Sequence, residues 1–221
     1  MIITTEEDQI RLRNIADTEY EIYALLKQRY SPRIFKEEKI KQGHLKQLFE
    51  ATRWAASSFN RQPWRFIYAE KGTEAYNKMV DCLSDFNKSW AVNAPLLILT
   101  AYKEKTEEGK ENFHALHDLG LSLGNMTVQA QYLDIALHHM AGIDWEKAQK
   151  VFNVPKGYHI STAIAVGYYG GNMEDISEDL EAPWSIINAY FSKQHLQQLV
   201  RHQIESYNDF ITRQIPNTID M

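Results

Sequence analysis

Cysteine is nearly absent from this chain of 221 residues, which contains Cys82 alone. One thiol cannot form an intrachain disulfide, and zinc or redox motifs of the Cys-x-x-Cys type are excluded with it. The N-terminal sequence MIITTEEDQIRLRN has acidic residues and no apolar core, so we expect no signal peptide. These features exclude a disulfide-stabilised domain and predict a reducing compartment, the cytoplasm.

Long apolar runs and an excess of basic residues are also missing. The most apolar stretch, 94–101, is far shorter than a membrane span, so the sequence predicts no membrane association. Lys and Arg number 24 against 29 Asp and Glu, a formal net charge of −5. That balance excludes the electrostatic footprint of a general nucleic-acid binder, but it leaves room for a local basic pocket. A Gly-x-Gly-x-x-Gly dinucleotide fingerprint is absent as well.

What remains is an ordinary globular composition, with 44% apolar and 24% charged residues. It predicts a single domain over 1–221. Apolar residues at helical spacing predict helices over 19–28, 44–56, 76–83, 112–137 and 192–215, with a short one capped by Asp144. Strands are predicted over 64–70, 96–101 and 161–168. Strands separated by helices indicate an α+β or α/β fold.

The first candidate site is the basic pentapeptide 29–33, RYSPR, which follows the first predicted helix. The guanidinium groups of Arg29 and Arg33 flank the hydroxyl of Ser31, and such donors bind phosphate oxygens through charge-assisted hydrogen bonds. The alternative is a helix C-terminus, where basic residues interact favourably with the dipole. On these residues alone the alternative is favoured.

The second candidate is a polar turn between a predicted helix and a predicted strand. It contains Ser57, Ser58, Asn60 and Gln62. Their side chains offer donors and acceptors to the polar edge of a ring, yet Ser and Asn are common turn residues for purely local reasons.

The third candidate is the connection between the long helix and the helix capped by Asp144. It contains Met140, Ala141 and Gly142. Small residues let a planar ligand approach main-chain N–H groups. A simple connection would have the same composition, so the site and the connection both stay open here.

Histidines raise the possibility of a metal site. His114, His117 and Asp118 have one-turn helical spacing, and His138 and His139 are adjacent. No Glu-x-x-His pair or cysteine accompanies them, so the sequence predicts no metal. Asp118 is instead expected to accept hydrogen bonds inside the fold.

Together these segments resemble the FMN-dependent nitroreductase family. The matching stretches are RYSPRIF, FEATRWAASSFNRQPWRFIYA, FNKSWAVNAPLLIL, the run from ALHDLG to FNVP, and IAVGYYG. They occur in the family's order and span about 25–190. The resemblance implies an α+β three-layer sandwich, in which a mixed, mainly antiparallel sheet is flanked by helices. It also implies an intertwined homodimer with a flavin site at each interface, and leaves 192–215 as an extra C-terminal helix.

The resemblance assigns roles residue by residue. Arg29, Ser31 and Arg33 match the positions that hold the FMN phosphate and ribityl oxygens. Asn87 matches a residue at the pyrimidine edge of the flavin, and Met140, Ala141 and Gly142 match the backbone beside flavin N5 and O4. The positions that the partner subunit contributes are matched by Ser57, Ser58 and Asn60, with Gln62 nearby.

The implied function is an FMN-dependent NAD(P)H oxidoreductase. NADH or NADPH would deliver a hydride through flavin N5 to a small oxidant such as a nitroaromatic or a quinone, and no catalytic side chain is required. Trp184 and Ile186 stand where the family has a basic pair, and Trp90 where some relatives have Lys. These departures motivate the alternative of a ligand-binding dimer with weakened or lost flavin use. A third reading keeps the flavin but changes the reaction, as in the dehalogenase and benzimidazole-synthase branches.

Overall fold

Four strands form the centre of the fold, in the order β1-β2-β4-β3. The computed structural model describes residues 14–171. The strands are β1 (Trp64–Glu70), β2 (Leu96–Lys103), β3 (Ile135–Met140) and β4 (Tyr158–Tyr168). All three pairings within the described range are antiparallel. The two central strands are buried over most of their length, as their apolar sequences require.

Six helices and one 3₁₀ turn connect and cover these strands in the described part of the chain. They are α1 (Ala24–Gln28), α2 (Gln42–Arg53), the turn Ser58–Asn60, α3 (Glu74–Asp81), α4 (Asp85–Ala91), α5 (Ala115–Tyr132) and α6 (Trp145–Val151).

The helices cover both faces of the sheet, which makes three layers. On one face, α2 and α5 pack over a core of Leu45, Leu48, Met126, Ile98 and Ile164. Side chains alternate along a strand, so the neighbours of these strand residues point the other way. There α3 packs on β1 and β2, α6 packs on β4, and α4 places its tryptophan on β3. The expected α+β sandwich with a mainly antiparallel sheet is confirmed.

Several predicted elements are confirmed with small changes in their ends. The first strand has the predicted bounds, 64–70, and Trp64 is buried in the core with Phe66 packed beside it. The cap of α6 is also confirmed, because Asp144 Oδ1 accepts a hydrogen bond from the Lys147 backbone N–H at 2.9 Å.

The long helix predicted over 112–137 is wrong at its C-terminal end. Helix α5 stops at Tyr132, and Asp134 follows in the left-handed region with φ of 62°. Residues 135–140 then form β3, whose first members are buried between the sheet's two helical layers. Consecutive apolar residues suit a strand covered on both faces, and pairing with β4 overrides the helical periodicity.

The first predicted helix, 19–28, is also too long, because α1 covers only Ala24–Gln28. Its apolar residues Ile22 and Leu26 are 41% and 47% exposed, so burial among the described residues does not stabilise another turn. Helix α4 was not predicted at all, although its N-cap Ser84, which accepts from the Asn87 backbone N–H, is readable in the sequence.

Some predictions fall outside residues 14–171. They are the C-terminal helix over 192–215 and the positions of Trp184 and Ile186. The described residues lie in one compact unit, and the single domain over 1–221 stays a prediction. Within 14–171 we find no helix with the length and apolarity needed to span a bilayer.

Candidate functional site

The basic segment 29–33 leaves α1 and lies against the edge strand β3. Nδ1 of His138 on β3 is 2.9 Å from the carbonyl oxygen of Pro32. Within the segment, Nη1 of Arg29 donates to Oγ of Ser31 at 3.2 Å, which places the guanidinium beside the hydroxyl. The contact with β3 positions the backbone of the segment that carries the predicted phosphate donors.

Arg33 connects the same segment to α4. Its guanidinium carbon lies 5.1 Å from the centre of the Phe86 ring, within the range of a cation–π contact. Burial lowers the pKa of Arg33, because removal from water disfavours the cation. A bound anion would replace that lost hydration. The Phe86 contact also brings the basic segment next to Asn87, the following residue of the helix.

Asn87 and Gly142 meet at the end of β3. Nδ2 of Asn87 donates to the carbonyl oxygen of Gly142 at 3.0 Å, and the backbone N–H of Ser84 donates to the same oxygen at 2.9 Å. Asn87 is buried, with 7% of its surface exposed. Ala141 beside it is exposed, and neither Ala141 nor Gly142 donates its N–H to a main-chain carbonyl within 14–171. The end of β3 therefore presents two backbone donors.

Substitution Gly142→Ala tests how closely these groups pack. A Cβ at Gly142 would stand 2.6 Å from Ser84 Oγ and 2.7 Å from Asn87 Nδ2, both held by hydrogen bonds. We expect the free energy of unfolding to fall by about 1–3 kcal/mol, the usual cost of overpacking. Urea denaturation measures it. In the control Gly43→Ala no packed neighbour in the described range lies within 4 Å of the new Cβ, so that variant should not lose stability. Equal stability of the two variants would contradict the close packing.

The polar turn 57–62 lies elsewhere, before β1. Its own groups hold it: Oγ of Ser57 accepts from the backbone N–H of Gln62 at 3.1 Å, and Nε2 of Gln62 donates to Oδ1 of Asn60 at 2.9 Å. The backbone N–H of Ser58 donates to Oδ2 of Asp118 at 3.0 Å. Asp118 is thus a buried acceptor inside the fold, as predicted.

The backbone of this turn is strained. Phe59, Asn60 and Gln62 have φ values of 52°, 54° and 47°, in the left-handed region that non-glycine residues rarely adopt. Phe59 is also 88% exposed. Such strain persists only where surrounding contacts enforce it, and it clusters at ligand sites.

The structure sorts the predicted site residues into two groups. One group surrounds the end of β3: Arg29, Ser31, Arg33, Asn87, Met140, Ala141 and Gly142. The other precedes β1: Ser57, Ser58, Asn60 and Gln62. β1 and β3 are the outer strands of the sheet that residues 14–171 form, so about three strand spacings of roughly 4.8 Å each separate them. One protomer does not bring the two groups together.

Sequence reasoning missed two side chains of the first group. Oγ of Ser84 accepts from the Asn87 backbone N–H while the Ser84 backbone N–H donates to Gly142, and the ring of His138 lies within hydrogen-bond distance of the basic segment. Alternation along β3 could have indicated His138, since it lies two residues before Met140 on the same face. Trp90, whose ring centroid is 4.3 Å from that of His138, is buried, and its Nε1 has no hydrogen-bond acceptor among the described residues.

The histidines do not form a metal cluster in the described part of the chain, where no three His, Cys, Asp or Glu side chains converge. His117 is 3.1 Å from Oδ1 of Asp118. His138 and His139 point to opposite faces of β3: His138 faces Trp90, and His139 lies 3.4 Å from Thr127 Oγ1 on α5.

Comparisons with known proteins agree with this architecture. A sequence model of the Nitroreductase family matches residues 26–88 and 78–168. The major NAD(P)H-flavin oxidoreductase of Aliivibrio fischeri is 29% identical over 60% of this chain and 79% of its own length. A solved oxidoreductase containing FMN superposes with a TM-score of 0.71 at 28% identity, covering 80% of this chain and 88% of that one. A nitroreductase family protein from Clostridium difficile shares the fold, with a TM-score of 0.57 at 24% identity over 72% and 90% of the two chains. The chain belongs to the Nitroreductase family.

Proposed function

We propose that this nitroreductase-family enzyme, a flavin-dependent oxidoreductase, uses FMN to pass a hydride from NADH or NADPH to a small oxidant such as a nitroaromatic or a quinone. The observation that carries the proposal is the convergence of the basic segment 29–33, Asn87 and Gly142 at the end of β3. Relatives support the cofactor, since one is described as an NAD(P)H-flavin oxidoreductase and another as containing FMN.

The residues present fit the two ends of FMN. Arg29, Ser31 and Arg33 supply the charge-assisted donors that a phosphate and ribityl hydroxyls require. At the other end, the backbone N–H groups of Ala141 and Gly142 suit the acceptors along one edge of the ring system. Trp90 adds a buried indole N–H without an acceptor in the described range, which a flavin carbonyl would satisfy after a small shift of the ring.

Bound at this site, FMN would supply the hydride-transfer chemistry of its N5 position. The residues of the chain itself bind the cofactor and orient it. Asn87 is fixed by its bond to the Gly142 carbonyl, so its remaining amide groups are preorganised for the pyrimidine edge. Donors at Ala141 and Gly142 favour negative charge that develops next to them, because they need no reorganisation.

The flavin site requires a second copy of the chain in this proposal. Ser57, Ser58, Asn60 and Gln62 lie at the opposite edge of the sheet from the Gly142 group, so a partner's polar turn would complete each site. Among the described residues a face of α5 is open for that contact: Leu116 and Leu121 are exposed, and no other element of 14–171 comes within 4 Å of a Cβ built on Gly120 or Gly124. Ala130, a small residue further along the same helix, is buried in the core and does not belong to this face.

An absorbance titration with FMN followed by anaerobic NADH or NADPH tests the function. We expect the flavin spectrum to shift on binding and its visible band to bleach with either reductant, then to return on addition of a quinone. Binding without bleaching would favour the ligand-binding alternative that Trp184 and Ile186 motivate. No binding of FMN would contradict the proposal. The cytoplasmic location stays a prediction of the sequence.

A further inference from the structure

His138 occupies a position between the proposed phosphate site and the core. Its Nδ1 is 2.9 Å from the Pro32 carbonyl oxygen, so in the neutral ring this nitrogen carries the proton and donates it. Trp90 covers the ring with its centroid 4.3 Å away. The imidazole therefore contacts the middle of the very segment whose ends are Arg29 and Arg33.

Opposing influences act on this imidazole. Burial lowers the pKa of His138, and the charges of Arg33 and Arg29 lower it further, whereas the carbonyls of Pro32 and Ser31 favour the imidazolium. The neighbours that the described α4 and β4 present to this ring carry no charge: they are Trp90 and Ala165. His139 is titratable and its side chain lies on the opposite face of the sheet; burial and the charge of a protonated His138 both lower the pKa of His139, which keeps it neutral. A bound anion would neutralise the charges of Arg29 and Arg33, and so remove their share of the effect that lowers the pKa of His138.

We propose that His138 takes up a proton when a phosphate group binds at Arg29 and Arg33, and that the imidazolium then acts as a third positive charge of the site. The proton comes from solvent and adds to Nε2, because the Nδ1 proton is already donated to Pro32. The inference rests on the proposed FMN function and deepens it. This chain has Trp184 and Ile186 where the family has a basic pair. A protonated His138 would add positive charge to a phosphate site that lacks that pair.

Two measurements on the whole protein test this. The first is the FMN dissociation constant from pH 8 to pH 6 for the wild type and for His138→Gln, which keeps an N–H donor for Pro32 but cannot be protonated. Ionisation of the FMN phosphate, with a pKa of about 6, affects both proteins equally and cancels in the ratio of their dissociation constants. Riboflavin, which lacks the phosphate, serves as the second ligand.

We expect wild-type FMN affinity to rise relative to His138→Gln as the pH falls, by about threefold or more over this range. Uptake of one proton allows at most about tenfold per pH unit. The same ratio for riboflavin should stay flat. In the second measurement, NMR titration of the His138 ring in the wild type should show a pKa at least about one unit higher with FMN bound than without it.

A merely structural His138 would weaken FMN binding in the Gln variant equally at every pH, and parallel curves with an unchanged ring titration would overturn the inference alone. The wild-type NMR titration decides the question by itself if the variant does not fold. Failure of the wild type to bind FMN would overturn both the inference and the proposed function, so the two failures are distinguishable.

Discussion

The double variant Arg29→Gln/Arg33→Gln is expected to bind FMN about a hundredfold or more weakly than the wild type. Each charge-assisted hydrogen bond to a phosphate is worth about 1.5–3 kcal/mol, and two of them together exceed the roughly 2.7 kcal/mol that a hundredfold change requires. The folded state should tolerate the change, since Arg29 is exposed and the guanidinium of Arg33 lies over the ring of Phe86, which is itself exposed. Equilibrium titration followed by flavin absorbance or fluorescence measures the loss.

Riboflavin provides the matched ligand for this experiment. It carries the same ring without the phosphate, so the double variant should change its affinity far less than that of FMN. The matched protein is Lys46→Gln/Lys150→Gln, which removes two positive charges from exposed positions on α2 and α6. That control should bind FMN within about twofold of the wild type, because distant surface charges are screened. An equal loss for both flavins would place the phosphate elsewhere.

Local sequence signals correctly predicted the helix ends and strands that depend on residues close by in the sequence. They also predicted elements whose hydrophobic pattern is compatible with only one type of secondary structure. Strand β1 is bounded by Pro63 and Gly72, and these breakers gave its ends correctly. Asp144 capped α6 as expected, since a cap needs only the next three residues. Such features depend on backbone rules that operate without knowledge of the tertiary structure.

The missed elements depend on distant contacts. The step from α5 to β3 is set at Asp134 by a left-handed backbone and by pairing of 135–140 with β4, some thirty residues later. In the sequence, the apolar run at 135–137 continues the helical pattern. Helix α1 was overestimated for the opposite reason, because an amphipathic pattern forms a helix only where its apolar face is covered.

The sequence was sufficient to predict which residues belong to the candidate site, but not how these residues are arranged in space. Motif order singled out Arg29, Asn87 and Gly142, and the structure places them around one end of β3. Nothing in the spacing could show that Ser57 and its neighbours would lie at the other edge strand, since strand order is a tertiary property. His138 was similarly hidden: its role follows from the Pro32 carbonyl, which is 106 positions away in the chain.

Substitution Gly124→Arg on the open face of α5 is expected to abolish the proposed dimer and, with it, FMN binding. In a separated protomer the new side chain has room among the described residues, because no neighbouring element of 14–171 comes within 4 Å of its Cβ. Replacing a helical glycine should even stabilise that protomer by up to about 1 kcal/mol. At a close helix contact, however, an unpaired buried guanidinium costs several kcal/mol. Light scattering measures the mass, and the FMN titration measures the site.

Opposite effects on folding and assembly make this prediction specific. Thermal denaturation at low protein concentration should show no destabilised fold in Gly124→Arg, so that lost FMN binding reports the missing partner turn with Ser57, Ser58 and Asn60. The control is Ala75→Arg, which adds the same charge at an exposed position of α3. That variant should keep the wild-type mass and FMN affinity. A Gly124→Arg protein that stays dimeric and binds FMN normally would show that another surface joins the protomers, whereas a monomer with full FMN affinity would show that one chain builds the site alone.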